Sequence, residues 1–358
     1  MNGPDQEPRS GAGEPRPTVE EVLLGGGRVH TRRDVVARTG VTAERTAQIW
    51  HALGFPVVDD DARVFTDADV DALRAGERLI EAGLITAESE TMMARALGHH
   101  LSRLAEWQVS TLWAWMSRGP GVPGHGGEPA DHAAALLPEM ERLQRHVWRR
   151  HLAAHAGRMA AAGEGFVPAG PGRPVGAAAD GPTAAGEGTD VRELAVGFTD
   201  MVGYTRMTRG LDTAELGRVL DRFESLTGDV VAEGGGRVVK TIGDEVLFVC
   251  DSASASAGIA LELTARVEEE KRLPKVRTGL AHGAVLIRFG DVYGGAVNVA
   301  ARLTGVARPA TVLVDTAFAG ELAGTAAYEL KALRPVSVRG YNRLRPVVLR
   351  PRRRTGAR

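Results

Sequence analysis

Apolar residues recur every three to four positions through "DVDALRAGERLIEAGLI" and "ETMMARALGHHLSRLAEWQVSTLWAWM", the period that gathers them on one face of a helix. Thr66 and Asp67 stand before the first of these runs as helix caps. A proline- and glycine-rich loop, "RGPGVPGHGGEP", interrupts the pattern, and a last long helix is expected from about Asp131 to Met159. After Asp190 the period shortens to that of strands alternating with helices. "ELAVGF", "RVVKTI", "EVLFV" and "TVLVD" read as strands, "VRTGLAHGAVLIRF" as one long strand or two short ones, and "YELKALRPVSVRG" and "LRPVVLR" as two more. Helices are expected in "DTAELGRVLDRFESLTGDVVAEGG", capped by Asp212, in "ASASAGIALELTARVEEEKR" and in "GGAVNVAARLTGVA". The order predicts an α+β domain with helices packed on one face of a mixed sheet, preceded by an all-α domain.

Between Gly163 and Asp190 the apolar period disappears into "GEGFVPAGPGRPVGAAADGPTAAGEGTD", a composition that reads as a flexible linker. The expected organisation is therefore a leader at 1–18, a helical domain at 19–162, the linker at 163–190, the α+β domain at 191–350 and a basic tail at 351–358. All five tryptophans and nine of the ten histidines precede the linker, so the two domains differ in titratable chemistry as well as in period. A formal net charge of -1 leaves no global basic field for nucleic acid or anionic membrane. The single cysteine, Cys250, ends an apolar run and excludes an intrachain disulfide framework. With no apolar run of the roughly 20 residues that span a bilayer, and no signal-peptide pattern, a cytoplasmic protein is expected.

Candidate chemistry gathers in three places. Gly243 and Asp244 join two strands as a tight hairpin, since glycine supplies a positive φ and aspartate tolerates the turn. Asp200 ends the strand of "VGFTDMVGYT"; if the two strand ends are neighbours, the carboxylates converge, as Mg²⁺ chemistry on a polyphosphate requires. In "GDVYGGAVNVAARL", Asp291 is expected in a turn before a helix, and Asn298 and Arg302 lie four apart on one face of it. Each residue alone is also an ordinary turn, cap or surface residue.

Together these segments, over about Val191 to Pro346, resemble the catalytic domain of class III nucleotidyl cyclases. The resemblance implies that Asp200 and Asp244 bind two divalent cations, Mg²⁺ or Mn²⁺, and that Lys240 and Asp291 recognise adenine. It implies that Asn298 orients the ribose and Arg302 stabilises the transition state of ATP cyclisation to cyclic AMP and pyrophosphate. The turn from Phe198 and Thr199 through Met201, Val202 and Gly203 is expected at the triphosphate, together with Arg339, whose competing reading is a solvated strand-end arginine. Because family members build each site from two catalytic domains, and this chain has one domain carrying both residue sets, a homodimer with two composite sites is implied. His282 is expected to be structural and Glu245 to face solvent from its strand.

The segment from His30 to Arg74 resembles the winged helix-turn-helix of MerR-type regulators, with Gly40 at the turn and Val41 to His51 as the second helix. Glu44 in that helix and the acidic "VVDDDARVFTDADVD" argue against phosphate contact, so DNA is an unfavoured partner. The overall arrangement resembles the pH-responsive, autoinhibited mycobacterial cyclase group. His99, His100, His146, His151 and His155 are the candidate titrating residues, with "HLAAH" a weak metal site as the competing reading. Two alternatives stand beside adenylate cyclisation: a nucleotide-responsive DNA-binding regulator, and a cyclase of different product specificity.

Overall fold

The computed structural model describes residues 17–116, 128–161 and 190–352. Nearly all of the expected leader and linker, and the tail beyond residue 352, lie outside the described residues. The chain divides into two compact units, Met1–Pro182 and Thr183–Arg358, described separately below.

Among the described residues of the first unit every element is a helix: α1 (Val19–Leu24), α2 (Arg32–Thr39), α3 (Ala43–Ala52), α4 (Asp67–Glu81), α5 (Ala87–Met116) and α6 (Pro129–Ala161). Thr18, Thr31 and Thr66 start α1, α2 and α4 with reciprocal capping boxes, so these ends are written locally in the chain. Val35, Phe65 and Val70 form one small core against Trp50, and Ile49, Ala52 and Ala94 form another. Arg45, on the helix that would read DNA, instead forms ion pairs with Glu77 of α4 and Glu90 of α5. That arginine ties three helices together and is occupied by two acids of its own unit.

The second unit contains β1 (Asp190–Met201), α7 (Tyr204–Met207), α8 (Thr213–Glu233), β2 (Arg237–Ile242), β3 (Glu245–Cys250) and α9 (Ala253–Glu269). Then follow β4 (Val276–Arg288), β5 (Asp291–Tyr293), α10 (Gly295–Val306), β6 (Val312–Val314) and α11 (Thr316–Glu321). The chain closes with β7 (Tyr328–Ala332), β8 (Val336–Val338), β9 (Tyr341–Leu344) and β10 (Val347–Pro351). The main sheet has the order β2-β3-β1-β4-β6-β10-β7, with β5 on β4; β8 and β9 form a separate ribbon. It is mixed, because β4 and β6 run parallel while the other neighbours run antiparallel.

The α+β class is as expected, but helices cover both faces of the sheet rather than one. Residues of α8, α9 and α11 share a core with Ala195, Phe248 and Leu280, whereas Ala296 and Ala300 of α10 pack with Leu194, Val196 and Phe198 on the opposite face. The cause is legible in β1, whose "LAVGF" is a continuous apolar run with no polar face to leave in water. Where α10 crosses β4 the approach is close: a Cβ at Gly279 would lie 2.4 Å from the Ala300 carbonyl oxygen and the Thr304 nitrogen. Two further expectations are refined. "VRTGLAHGAVLIRF" is one strand, β4, and "YELKALRPVSVRG" holds two, β7 and β8.

Candidate active site

β1 and β3 pair antiparallel so that Asp200 stands opposite Glu245, and the Gly243–Asp244 connection closes the β2–β3 hairpin beside them. Gly243 adopts φ 63, and the Met201 N–H donates to the Asp244 carbonyl at 3.2 Å, which ties the hairpin tip to the end of β1. The two expected cation-binding carboxylates are therefore brought together. Burial, and then the negative charge of Asp200, push the Asp244 carboxyl above the usual range. Burial, with Asp200 and Asp244 beside it, pushes Glu245 up to about 7.

Glu245 is thus half-buried in an acidic cluster, not a solvent-facing strand residue as its position in the pattern suggested. A second residue was missed. Arg277 on β4 stands opposite Asp200 on the other edge of β1, and its Nε and Nη2 donate to Asp200 Oδ2 at 2.8 and 2.6 Å. Its Nη1 donates to the Gly305 carbonyl at 3.2 Å, linking the cluster to α10. The available signal was a charged side chain inside the otherwise buried run "VRTGLA".

Lys240 and Asp291 are 51 residues apart, yet the Lys240 ammonium lies 2.5 Å from Asp291 Oδ2. The β2–β3 register shifts between Val238 and Lys240, just before the lysine. Asp291 opens strand β5 instead of sitting in a loop turn, and its Oδ1 accepts the Val292 N–H at 2.8 Å. Burial alone would raise this carboxyl; the Lys240 ammonium and the Val292 N–H outweigh it and hold Asp291 below the usual carboxylate range.

Asn298 and Arg302 lie one turn apart on α10, both exposed, and the Asn298 N–H continues the helix to the Gly294 carbonyl at 3.2 Å. Arg302 Nε donates to the Arg339 carbonyl at 3.2 Å, so the structure joins two of the expected site residues. The expected triphosphate turn is largely committed elsewhere. Phe198, Thr199 and Met201 have buried side chains, Thr199 Oγ1 bonds Thr278 Oγ1 at 2.9 Å, and the Val202 N–H is held by the Lys275 carbonyl at 2.7 Å. The Met201 N–H is bonded as well, to the Asp244 carbonyl.

Residues 188–350 match the family model described as the adenylate and guanylate cyclase catalytic domain, and residues 12–143 match an adenylate cyclase regulatory domain. An adenylate cyclase of Streptomyces coelicolor is 40% identical over 309 residues, covering 86% of this chain and 75% of the relative. The chain belongs to the adenylate cyclase family. Another member, from Glutamicibacter nicotianae, is 35% identical over 358 residues, 98% of this chain and 86% of its own length. A pH-sensitive adenylate cyclase of Mycobacterium tuberculosis is 31% identical over 292 residues, 79% of this chain and 67% of that protein.

In the cyclase's first unit, His99 and His100 lie on α5 with ring centroids 5.1 Å apart, and His146, His151 and His155 lie exposed on α6. Arg158 Nη2 and His155 Nδ1 are 2.8 Å apart. Among the described residues there is no group of three or more His, Cys, Asp or Glu that could hold a metal, which leaves "HLAAH" without a third ligand. Among the described histidines of this unit His30 is the buried one, and its Nε2 lies 2.7 Å from Asp67 Oδ1. In the second unit His282 lies beside Asp315, the N-cap of α11, consistent with a structural role.

The raised Glu245 carboxyl gives the cyclase a testable pH dependence. A group whose folded pKa lies above its unfolded one contributes stability below the unfolded value, and that contribution fades as pH rises through the folded value. Glu245→Gln mimics the protonated form, so in cation-free buffer its melting temperature should match wild type below about pH 4.5, exceed it by a margin that opens between about pH 4.5 and 7, and keep that margin at higher pH. Thermal melts across that range check it; a constant difference at all pH values counts against the buried acid.

Proposed function

We propose that the cyclase converts ATP to 3′,5′-cyclic AMP and pyrophosphate at two composite sites of a homodimer. The observation that carries this is the Lys240–Asp291 pair, which sets a cationic donor beside a carboxylate acceptor. Adenine offers an acceptor at N1 and a donor at its N6 amino group; guanine presents the opposite polarity at both, so a GTP complex leaves buried groups unpaired.

Asp200 and Asp244 suit divalent cations: two acids share one place, burial and then the charge of Asp200 raise the Asp244 carboxyl, and a cation offsets both. Two carboxylates with phosphate oxygens and water are the donor set that Mg²⁺ prefers, and Mn²⁺ accepts it too. Bound there, two such cations supply the Lewis acidity that eases loss of the ribose 3′-hydroxyl proton and offsets charge on the departing pyrophosphate. Arg277 steers the Asp200 carboxylate through its two bonds to Oδ2. Asn298 of the partner chain's helix holds the ribose so that the hydroxyl faces the α-phosphorus, and Arg302 meets the charge that develops on the α-phosphoryl oxygens. Arg339, exposed at the tip of the β8–β9 hairpin, binds the triphosphate, joined by Gly203 and the start of α7.

The first unit regulates this activity, with His99, His100, His146, His151 and His155 as its candidate regulatory residues. Among the described residues no helix is long and apolar enough to cross a membrane, which suits a cytoplasmic enzyme. The test is cyclic nucleotide production from ATP and from GTP, with Mg²⁺ or Mn²⁺ across pH, for the full chain and for a chain starting near Asp190. No product from either chain with either cation removes the enzyme reading. Identical pH profiles for the two chains remove the regulatory one.

A further inference from the structure

β8 and β9 stand outside the main sheet as a two-stranded ribbon, an arrangement with little stability of its own. Helix α10 and two strands of the main sheet support it. Val336, Val338, Tyr341 and Leu344 of the ribbon share a cluster with Val299, Leu303 and Ala307 of α10 or its end, Leu313 of β6 and Val348 of β10. Across the ribbon, Ser337 Oγ donates to the Asn342 carbonyl at 2.8 Å. Leu303 adjoins Arg302 in the helix, so the apolar contact that seats the ribbon also brings its tip to that arginine. There the Arg339 carbonyl accepts Arg302 Nε at 3.2 Å, across 37 residues of chain.

We propose that the β8–β9 hairpin is a positioning element for the Arg302 guanidinium, acting through the Arg339 main-chain carbonyl. This rests on the cyclase reading above and adds to it a role that the Arg339 side chain does not carry. A carbonyl is held by the backbone, not by a side-chain rotamer, and its direction follows the turn. A bond through Nε fixes the plane of the guanidinium without using the Nη pair, which stays available to the α-phosphoryl group. Contact made through Arg302 alone alters transition-state stabilisation more than ground-state binding, so loosening the hairpin should lower kcat and leave KM.

The turn is adjustable at one position. Gly340 adopts φ 86, a conformation that a β-branched residue resists and asparagine tolerates. In full-length Arg339→Ala protein with ATP, which keeps the main-chain carbonyl but lacks the triphosphate side chain, Gly340→Val should lower kcat about 10-fold with KM changed less than about 2-fold, and Gly340→Asn should stay within about 2-fold of that background. Added to an Arg302→Ala background, Gly340→Val should cost no further activity. An unchanged kcat on adding Gly340→Val, a rise in KM in place of a fall in kcat, or the full loss persisting in the Arg302→Ala background would each overturn the proposal. If Gly340→Val does not fold, Tyr341→Ala loosens the same ribbon from α10 and is read in the same way. A wild-type protein without cyclase activity removes the underlying function instead, so the two failures are distinct.

Discussion

Asp200→Ala and Arg302→Ala should each reduce cyclic AMP formation at least about 10²- to 10³-fold, the scale on which a lost charge-stabilising group lowers a rate. Mixed together, the two inactive chains should recover activity. On the proposed dimer, Asp200 serves one site and Arg302 the other, so each mixed dimer carries one site with both residues intact and one lacking both. Random pairing makes half the dimers mixed, each with one of two sites working, which sets recovery at about one quarter of wild type. Differently tagged chains, co-purified to confirm mixed dimers and assayed with ATP, provide the measurement. Confirmed mixed dimers without activity would refute the composite site while leaving the chemistry of the individual residues untouched. The structure gives one reason to expect folded variants: Arg302 is exposed on α10, with its Nε bonded to a main-chain carbonyl. Asp200 is bonded to Arg277, and its removal leaves a partly buried arginine that still has the Gly305 carbonyl as an acceptor.

The second large effect is expected at Lys240. Removing its ammonium deletes the donor to adenine N1 and leaves Asp291 without the cation that holds its carboxyl low. Lys240→Ala should lower kcat/KM for ATP about 100-fold while changing the value for GTP far less, because unpaired polar groups, not lost volume, enforce this kind of discrimination. Asp291→Asn tests the other half of the pair. Its amide can turn either an acceptor or a donor towards the base, so the preference for ATP should narrow without an equal loss of turnover. Side-by-side kinetics with ATP and GTP decide both. An unchanged ratio of the two kcat/KM values in Lys240→Ala would show that the pair is a structural ion pair and that the base is read elsewhere.

Much of this site was legible because its parts are local. The Gly243–Asp244 hairpin is a two-residue connection between two strand-patterned runs, and β2 and β3 are where the pattern puts them. The four-residue step from Asn298 to Arg302 fixes their shared face once α10 forms, and the turn chemistry of Gly294 and Gly295 starts that helix. What was not legible depends on strand order. Nothing in the pattern around Glu245 marks it as half-buried among acids; it becomes so because β1 lies beside β3 and sets Asp200 opposite it. Arg277 likewise acquires its role from the β1–β4 register, which brings it to Asp200 across 77 residues of chain. The two-sided sheet was visible in the unbroken apolar run of β1, a signal that strand alternation alone does not use.

The main helices and strands, the two-unit division and the spacing of the six site residues are written in the sequence, because capping, turn geometry and apolar period act within a few residues; β5, α7 and α11 are not. The pairings arise in the folded chain: Lys240 with Asp291 after a register shift in β2, Arg277 with Asp200 across β1, and Arg302 with the Arg339 carbonyl through the β8–β9 ribbon. A one-residue change of strand register turns every side chain to the other face, and register is set by the packing of the whole sheet. The same acids in another register would be ordinary turn and strand residues.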